Sequence, residues 1–283
     1  MTVTQSSQPC DGRTLRLLSY NIQAGANSSS YRDYFTKGWR HLLPNRGQLH
    51  NLNEISRLFH DADLVGLQEV DAGSFRSGFI NQTRYLAGRA SFPYWYTRAN
   101  RNVGKLAQHS NGILSRYQPS HCFHQKLPGM PGRGVLVCEF AHGEETLAMI
   151  VAHLALGSRS RRMQFDFLQQ LAERYPHVIL MGDFNCEANS PEMHSLLQNS
   201  HLVESNIDQN TFPSWNPVRK IDHILVSDSL QVCSSQVVNY YLSDHLPVCL
   251  TICVPDTVEL ENWRLNLGNS HGENGNGLER KIS

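Results

Sequence analysis

The sequence predicts an α/β fold in which sheets and helices pack in layers. Three observations carry the prediction. Apolar runs of strand length outnumber stretches with helical spacing, the two kinds interleave along the chain, and several of the strand-like runs end abruptly in a polar residue. In order, "LRLLSYNIQAG" reads as a strand. "GQLHNLNEISRLFHDAD" spaces Leu49, Leu52, Ile55, Leu58 and Phe59 as a helix. "LVGLQEVD" is a short buried strand, "QTRYLAGRAS" a helix, and "FPYWYTRAN" and "HSNGILSRY" are strands. "RGVLVCEFA" and "TLAMIVAHLAL" form a strand pair around the "HGEE" turn. "SRSRRMQFDFLQQLAERYP" is a helix that begins at a Ser and stops at Pro176. The strand "VILMGDFN", a helix at "SPEMHSLLQN" and the strands "KIDHILVS", "LQVCSSQVVNYYL" and "LPVCLTICV" complete the series. Residues 1–13 read as a flexible leader. The Gly-, Asn- and charge-rich tail 256–283 is expected to be disordered beyond about Asn266.

The totals narrow the function. Lys+Arg and Asp+Glu both number 25, so the formal net charge is zero and no global field draws the chain to a polyanion. The seven cysteines are odd in number and follow no CxxC spacing. They read as reduced, mostly buried thiols, which favours a cytoplasmic protein. The first residues lack an apolar signal-peptide core, and no run approaches the ~18 apolar residues of a membrane span. A monomer is expected.

The polar residues that interrupt the apolar runs share a position. Asn21, Glu69, His153, Asp183, Asn185, Asp222, Asp244 and His245 each lie in or at the end of a strand-like segment. In "GDFN", Asp183 and Asn185 are two apart and on an extended chain point the same way. A single Asp after a strand is ordinarily a turn former, and a single buried His is ordinarily a satisfied core residue. Eight such sites in one chain are a different matter, because unpaired buried carboxylates are costly and a cluster of them needs a cation or protons. Carboxylates and carboxamides suit a hard ion, Mg²⁺ or Mn²⁺, and the absence of HExxH or CxxC spacing disfavours zinc. Such an ion beside His and Asp equips a site for phosphoryl chemistry.

The ordered motifs "SYNIQ", "LQEVD", "NGILSRY", "VAHLAL", "GDFN", "TFPSW…KIDHILVS" and "SDHLPV" resemble the endonuclease/exonuclease/phosphatase superfamily over roughly residues 14–254. The resemblance is to its small, single-domain bacterial members. It implies a four-layer α/β sandwich with two central mixed β-sheets flanked by helices, and a catalytic domain over 14–255. It also implies site roles. Glu69 is the principal metal ligand, helped by Asn21 and by Asp244. Asp183 orients or deprotonates water, and Asn185 positions phosphate. His245 contacts the scissile phosphate and is oriented by Asp222. His153 corresponds to the second histidine of the deoxyribonuclease I-like and sphingomyelinase branches, where abasic-site nucleases carry a tyrosine. Gln23 stands where repair nucleases place an acid.

The substrate is less legible. Arg76 in "AGSFRSGFINQ", Asn111 in "HSNG" and Arg159 in "SRSRR" are candidate substrate contacts, and Arg98, Arg101, Lys105, Arg161 and Arg162 are basic residues of the same clusters. The expectation is a Mg-dependent phosphodiesterase acting on DNA or RNA through in-line attack of water. Its alternatives are a phosphatase or phospholipase C-like enzyme acting on phosphomonoesters or phospholipids, and a non-catalytic phosphate-binding module.

Overall fold

The computed structural model describes residues 12–25, 46–103, 107–129, 131–140, 145–205 and 208–261, without the side chains of residues 46, 76, 99–103 and 107–109. The first half of the chain forms β1 (Arg13–Asn21), α1 (Arg46–Leu58), β2 (Leu64–Asp71), α2 (Gln82–Arg89), β3 (Tyr94–Val103), β4 (Ala107–Ser115), β5 (His121–Lys126) and β6 (Gly134–Phe140). The second half forms β7 (Leu147–His153), α3 (Ser158–Ala172), β8 (His177–Asp183), α4 (Pro191–Gln198), β9 (Leu202–Glu204), β10 (Asp222–Ser227), β11 (Gln231–Val237) and β12 (Val248–Val254). The "HGEE" turn at 141–144, most of the leader and the tail beyond 261 lie outside the described residues.

Two six-stranded sheets run in the orders β11-β12-β1-β2-β4-β3 and β5-β6-β7-β8-β10-β9. Each is mixed, with one parallel pair at its centre: β1 with β2, and β7 with β8. The other neighbours are antiparallel. The period of two along each strand builds the layers. In β1, Leu17 faces the second sheet, and Leu18 faces outward beneath α1 and α2. Leu17, Leu64 and Ile113 meet Met149, Val151, Met181 and Ile224 between the sheets. Leu52, Ile55 and Leu86 cover the outer face of the first sheet. Phe165, Leu168, Met193 and Leu196 cover that of the second. The four-layer sandwich is therefore the observed fold. At about 1.5–3 kcal/mol per buried aliphatic side chain, three apolar layers offset the cost of burying charge at one edge.

Some local expectations change. Leu49 points to solvent rather than into the helix interface. β5 and β9 form from "HCFHQK" and "LVE", sequences too polar or too short to read as strands; both are sheet edges, where one side needs no apolar cover. The helix "SPEMHSLLQN" starts as expected, with Ser190 accepting the N–H of Met193 and Pro191 in the first turn.

The reduced-thiol expectation is corrected. Cys122 and Cys138 face one another in the β5–β6 register and form a disulfide with a Cα separation of 4.3 Å. Cys253 is disulfide-bonded as well, and Cys186, Cys233 and Cys249 are free. Cys122 and Cys138 lie 16 positions apart in sequence, and the hairpin register brings them together. Reduced cysteines therefore no longer support a cytoplasmic location. No helix among the described residues is long and apolar enough to cross a membrane.

Gly182, the first residue of "GDFN", lies at φ +145°, and a Cβ there would overlap the carbonyl oxygen of Ala152 on β7. Glycine is required by this close approach of parallel neighbours. We expect Gly182→Ala to destabilise the fold by about 1–3 kcal/mol. Chemical denaturation measures this, and an unchanged midpoint would contradict it.

Candidate active site

In a parallel pair both C-terminal ends lie at the same edge. β1 and β2 deliver Asn21 and Glu69 to the edge where β7 and β8 deliver His153 and Asp183. β10 is antiparallel to β8, so its first residue rather than its last arrives there, and Asp222 pairs directly with Asp183. Asp222 thus opens its strand. The "SDH" segment between β11 and β12 supplies Asp244 and His245.

The geometry centres on Asp183, which is almost fully buried. Its Oδ2 accepts from Asn21 Nδ2 at 3.1 Å and lies 3.4 Å from His153 Nε2 and 3.7 Å from His245 Nε2. Glu69 Oε1 is 3.9 Å from the same His153 nitrogen. His245 Nδ1 is held by Asp222 at 2.8 Å, and Asp222 also accepts the Thr211 hydroxyl at 2.6 Å. Burial pushes the Asp183 carboxyl up to about 7; the His245 charge opposes this, and Asp222 and Glu69 add to it. Burial likewise raises Asp244. For His245, burial favours the neutral ring, but Asp222, Asp183 and Asp244 outweigh it and hold the imidazole well above its ordinary range.

Backbone irregularities aim these groups. Between Leu67↔Gly112 and Val70↔Ser110, β2 carries two residues where β4 carries one, so Glu69 sits on a bulge at φ 56° that turns its carboxylate toward His153. β8 ends at Asp183, and Asn185 adopts φ 55°. The proximity of Asp183 and Asn185 therefore comes from a turn and not from a shared strand face, as was expected. The N–H of Asn185 donates to Asp183 Oδ1 at 2.9 Å, and its Nδ2 donates to Leu154 O at 2.9 Å.

Several supporting residues had no role assigned from the sequence. Arg161 in α3 is buried and forms an ion pair with Glu192 of α4 at 2.7 Å. Its Nη1 donates to the carbonyls of Ala155, Leu156 and Asn185, tying the segments after His153 and Asp183 together. Sequence reading put Arg161 in a rim cluster; its amphipathic position on α3, among Gln164, Phe165 and Leu168, is the signal that separates it from exposed Arg159 and Arg162. Phe212 packs its ring 4.9 Å from that of His245, and Ser214 donates to Asp244 O, so the "TFPSW" loop braces the "SDH" segment. His223 donates from Nε2 to Cys186 O and stacks on Phe184 at 5.4 Å, packing the loop after Asp183.

The substrate candidates separate. Asn111 is buried, and its amide donates to Gly134 O and Val151 O, stapling one sheet to the other. Arg98 and Arg159 are exposed. The side chains of Arg76 and Arg101, and all of Lys105, lie outside the description.

A two-sheet α/β sandwich with carboxylates and imidazoles gathered at one edge defines a hydrolase of phosphoric esters. The chain belongs to the endonuclease/exonuclease/phosphatase family, whose profile matches residues 18–245. Solved structures share the fold. One is an endonuclease/exonuclease/phosphatase from Beutenbergia cavernae DSM 12333, with TM-score 0.66 and 17% identity, covering 86% of this chain and 72% of that one. Another is the mannosyl-6-phosphatase of Bacteroides thetaiotaomicron VPI-5482, with TM-score 0.63 and 18% identity, covering 84% and 99%. A third is the human Nocturnin catalytic domain with bound sulfate, with TM-score 0.61 and 18% identity, covering 89% and 96%. No curated protein sequence matches the chain. Enzymes of this family depend on divalent metal ions, and here ligand atoms of Asp183, Asp222 and His245 lie within 4.8 Å of one another.

Two outcomes follow from the site's electrostatics. Asp183, Asp244 and His245 all titrate above their ordinary values, so their contribution to stability is present at low pH and lost as pH rises through the folded-state values. We expect the metal-free protein to melt at a higher temperature at pH 6 than at pH 8, and Asp183→Asn to shrink that difference; a thermal scan in chelator checks both. Arg161→Ala leaves Glu192 buried without its partner and should cost about 3–5 kcal/mol, whereas Arg161→Met with Glu192→Met should recover much of it. Urea titration of the three proteins distinguishes these outcomes.

Proposed function

We propose that this chain is a Mg²⁺-dependent phosphodiesterase that cleaves P–O bonds of DNA or RNA by in-line attack of water. The observation that carries the reading is the position of Asp183. It is a buried carboxylate close to two imidazoles, with Asn21 donating to it from the other sheet and Glu69 approaching the same His153 nitrogen.

The donor set fits a hard divalent cation. Four carboxylates, Glu69, Asp183, Asp222 and Asp244, stand with two imidazoles at one edge, and burial raises two of the carboxyls, a cost that a bound cation would offset. Glu69, Asn21 and Asp244 would hold the ion. Asp222 is a weaker candidate although its oxygen lies within 4.8 Å of ligand atoms of Asp183 and His245, because its oxygens already serve His245 and Thr211. A bound divalent ion supplies neutralisation of phosphate charge. Asp183, its carboxyl near 7, takes the proton of the attacking water near neutral pH. Asn185, fixed by Leu154 and Asp183, presents its turn to the phosphate. His245, kept protonated and oriented by Asp222, donates to a phosphoryl oxygen, and His153 lies against the same Asp183 oxygen that His245 approaches.

A second reading keeps this chemistry and changes the substrate to a phosphomonoester or phospholipid. The zero net charge favours it, since it gives no long-range attraction for a polyanion. Hydrolysis of plasmid, single-stranded DNA, RNA, a monoester and phospholipid vesicles in MgCl₂ with and without EDTA separates the two readings. EDTA-sensitive cutting of nucleic acid is the expected result, and cleavage of lipid or monoester alone would overturn the nuclease reading. Asp183→Asn should reduce kcat by about 10²–10⁴-fold with the fold intact. Glu69→Ala should weaken Mg²⁺ binding by at least about tenfold, read by calorimetry.

A further inference from the structure

We propose that Phe75 and Phe79 form a stacking subsite for a nucleobase beside the scissile phosphate, a reading that rests on the nuclease function proposed above. Phe79 is 67% exposed and Phe75 41%, and their rings meet edge to face at 6.1 Å. Both lie in the segment that follows Glu69 and Asp71 at the catalytic edge. Large aromatics in solvent are costly unless something covers them in use.

The segment is held rigid. Asp71, fully buried, accepts from the N–H groups of Gly73 and Ser74 and from the hydroxyls of Ser74 and Ser77, at 2.6–3.0 Å. The N–H of Phe79 returns to Ser74 O at 2.8 Å. Gln82 joins this segment to the turn after Asn21, accepting from Asp71 N and donating to Ala24 O. On this frame Phe79 is held at φ 64°, a region that a bulky side chain avoids. Of the six non-glycine residues with positive φ among those described, Gln23, Ala24, Glu69, Phe79 and Asn185 belong to segments at the catalytic edge; Ser91 is the exception. Strain of this kind persists where the surroundings over-determine it, and here it presents an aromatic ring to solvent. A preorganised, exposed aromatic pair beside a phosphate site suits a planar base, because every base has a π-face to stack.

The test is steady-state hydrolysis, in Mg²⁺, of a short single-stranded deoxyoligonucleotide and of the same backbone with tetrahydrofuran in place of the bases. The wild-type protein is expected to show a lower KM for the base-bearing strand. Phe75→Ser with Phe79→Ser should raise that KM by roughly tenfold or more, leaving kcat and the abasic substrate unchanged. Phe79→Gly should lose the same preference without a lower Tm, since glycine tolerates this backbone. Equal KM for the two strands in the wild type would overturn the subsite and leave the nuclease reading standing. Equal loss on both strands in the double variant would overturn it in favour of a structural role. Leu156 and Tyr241, exposed on neighbouring loops, make a lipid surface the rival occupant. Cleavage of phosphatidylcholine–phosphatidylglycerol vesicles with neither strand cut would overturn the subsite and the nuclease reading together.

Discussion

Asp183 and Asp222 stand opposite one another in the β8–β10 register, and both are buried. Two carboxylates this close in a poorly solvated edge cannot both stay charged without compensation. The neighbouring contacts answer that constraint. His245 bridges the pair, holding Asp222 at 2.8 Å and lying 3.7 Å from Asp183. Thr211 satisfies Asp222 from the far side, and Asn21 and the Asn185 amide satisfy Asp183. The raised Asp183 carboxyl is the part of the cost of burial that these contacts leave uncompensated.

The architecture makes such an edge possible. The two sheets repeat one plan, a central parallel pair flanked by antiparallel strands. Each parallel pair brings two strand ends to the same edge, and the sandwich places the two pairs face to face. Polar residues occupy the last positions of these strands, while the preceding ones, such as Leu17, Val65, Met149 and Leu180, remain in the apolar layers. Stability and chemistry are thus separated along each strand. Arg161 joins them, since one buried guanidinium fixes helix α3 to α4 and holds the carbonyls that follow His153 and Asp183.

Backbone strain follows the same division. Among the described residues, the non-glycine residues in the left-handed region other than Ser91 gather where Glu69, Asn185 and Phe79 are aimed, and Glu69, the one inside a strand, sits on the β2 bulge. A bulge and a tight turn place side chains that a regular strand would point elsewhere.

The sequence by itself determined the layered α/β class, most of the strands, and the identity of the polar residues at their ends. These are written in local patterns: period two, period 3.6, and a carboxylate after an apolar run. It misplaced what depends on registers and turns. Cys122 and Cys138 meet through a hairpin pairing that no spacing rule encodes. Asn185 reaches Asp183 through a left-handed turn rather than a shared face, and Asn111, a candidate substrate contact in the sequence, donates instead to two carbonyls of the other sheet. Arg161 and Arg159 look alike in "SRSRR" and differ only in which side of α3 the packing buries. Long-range pairing and close packing decide these points, because they depend on which distant residues become neighbours, and a one-dimensional pattern does not contain that information.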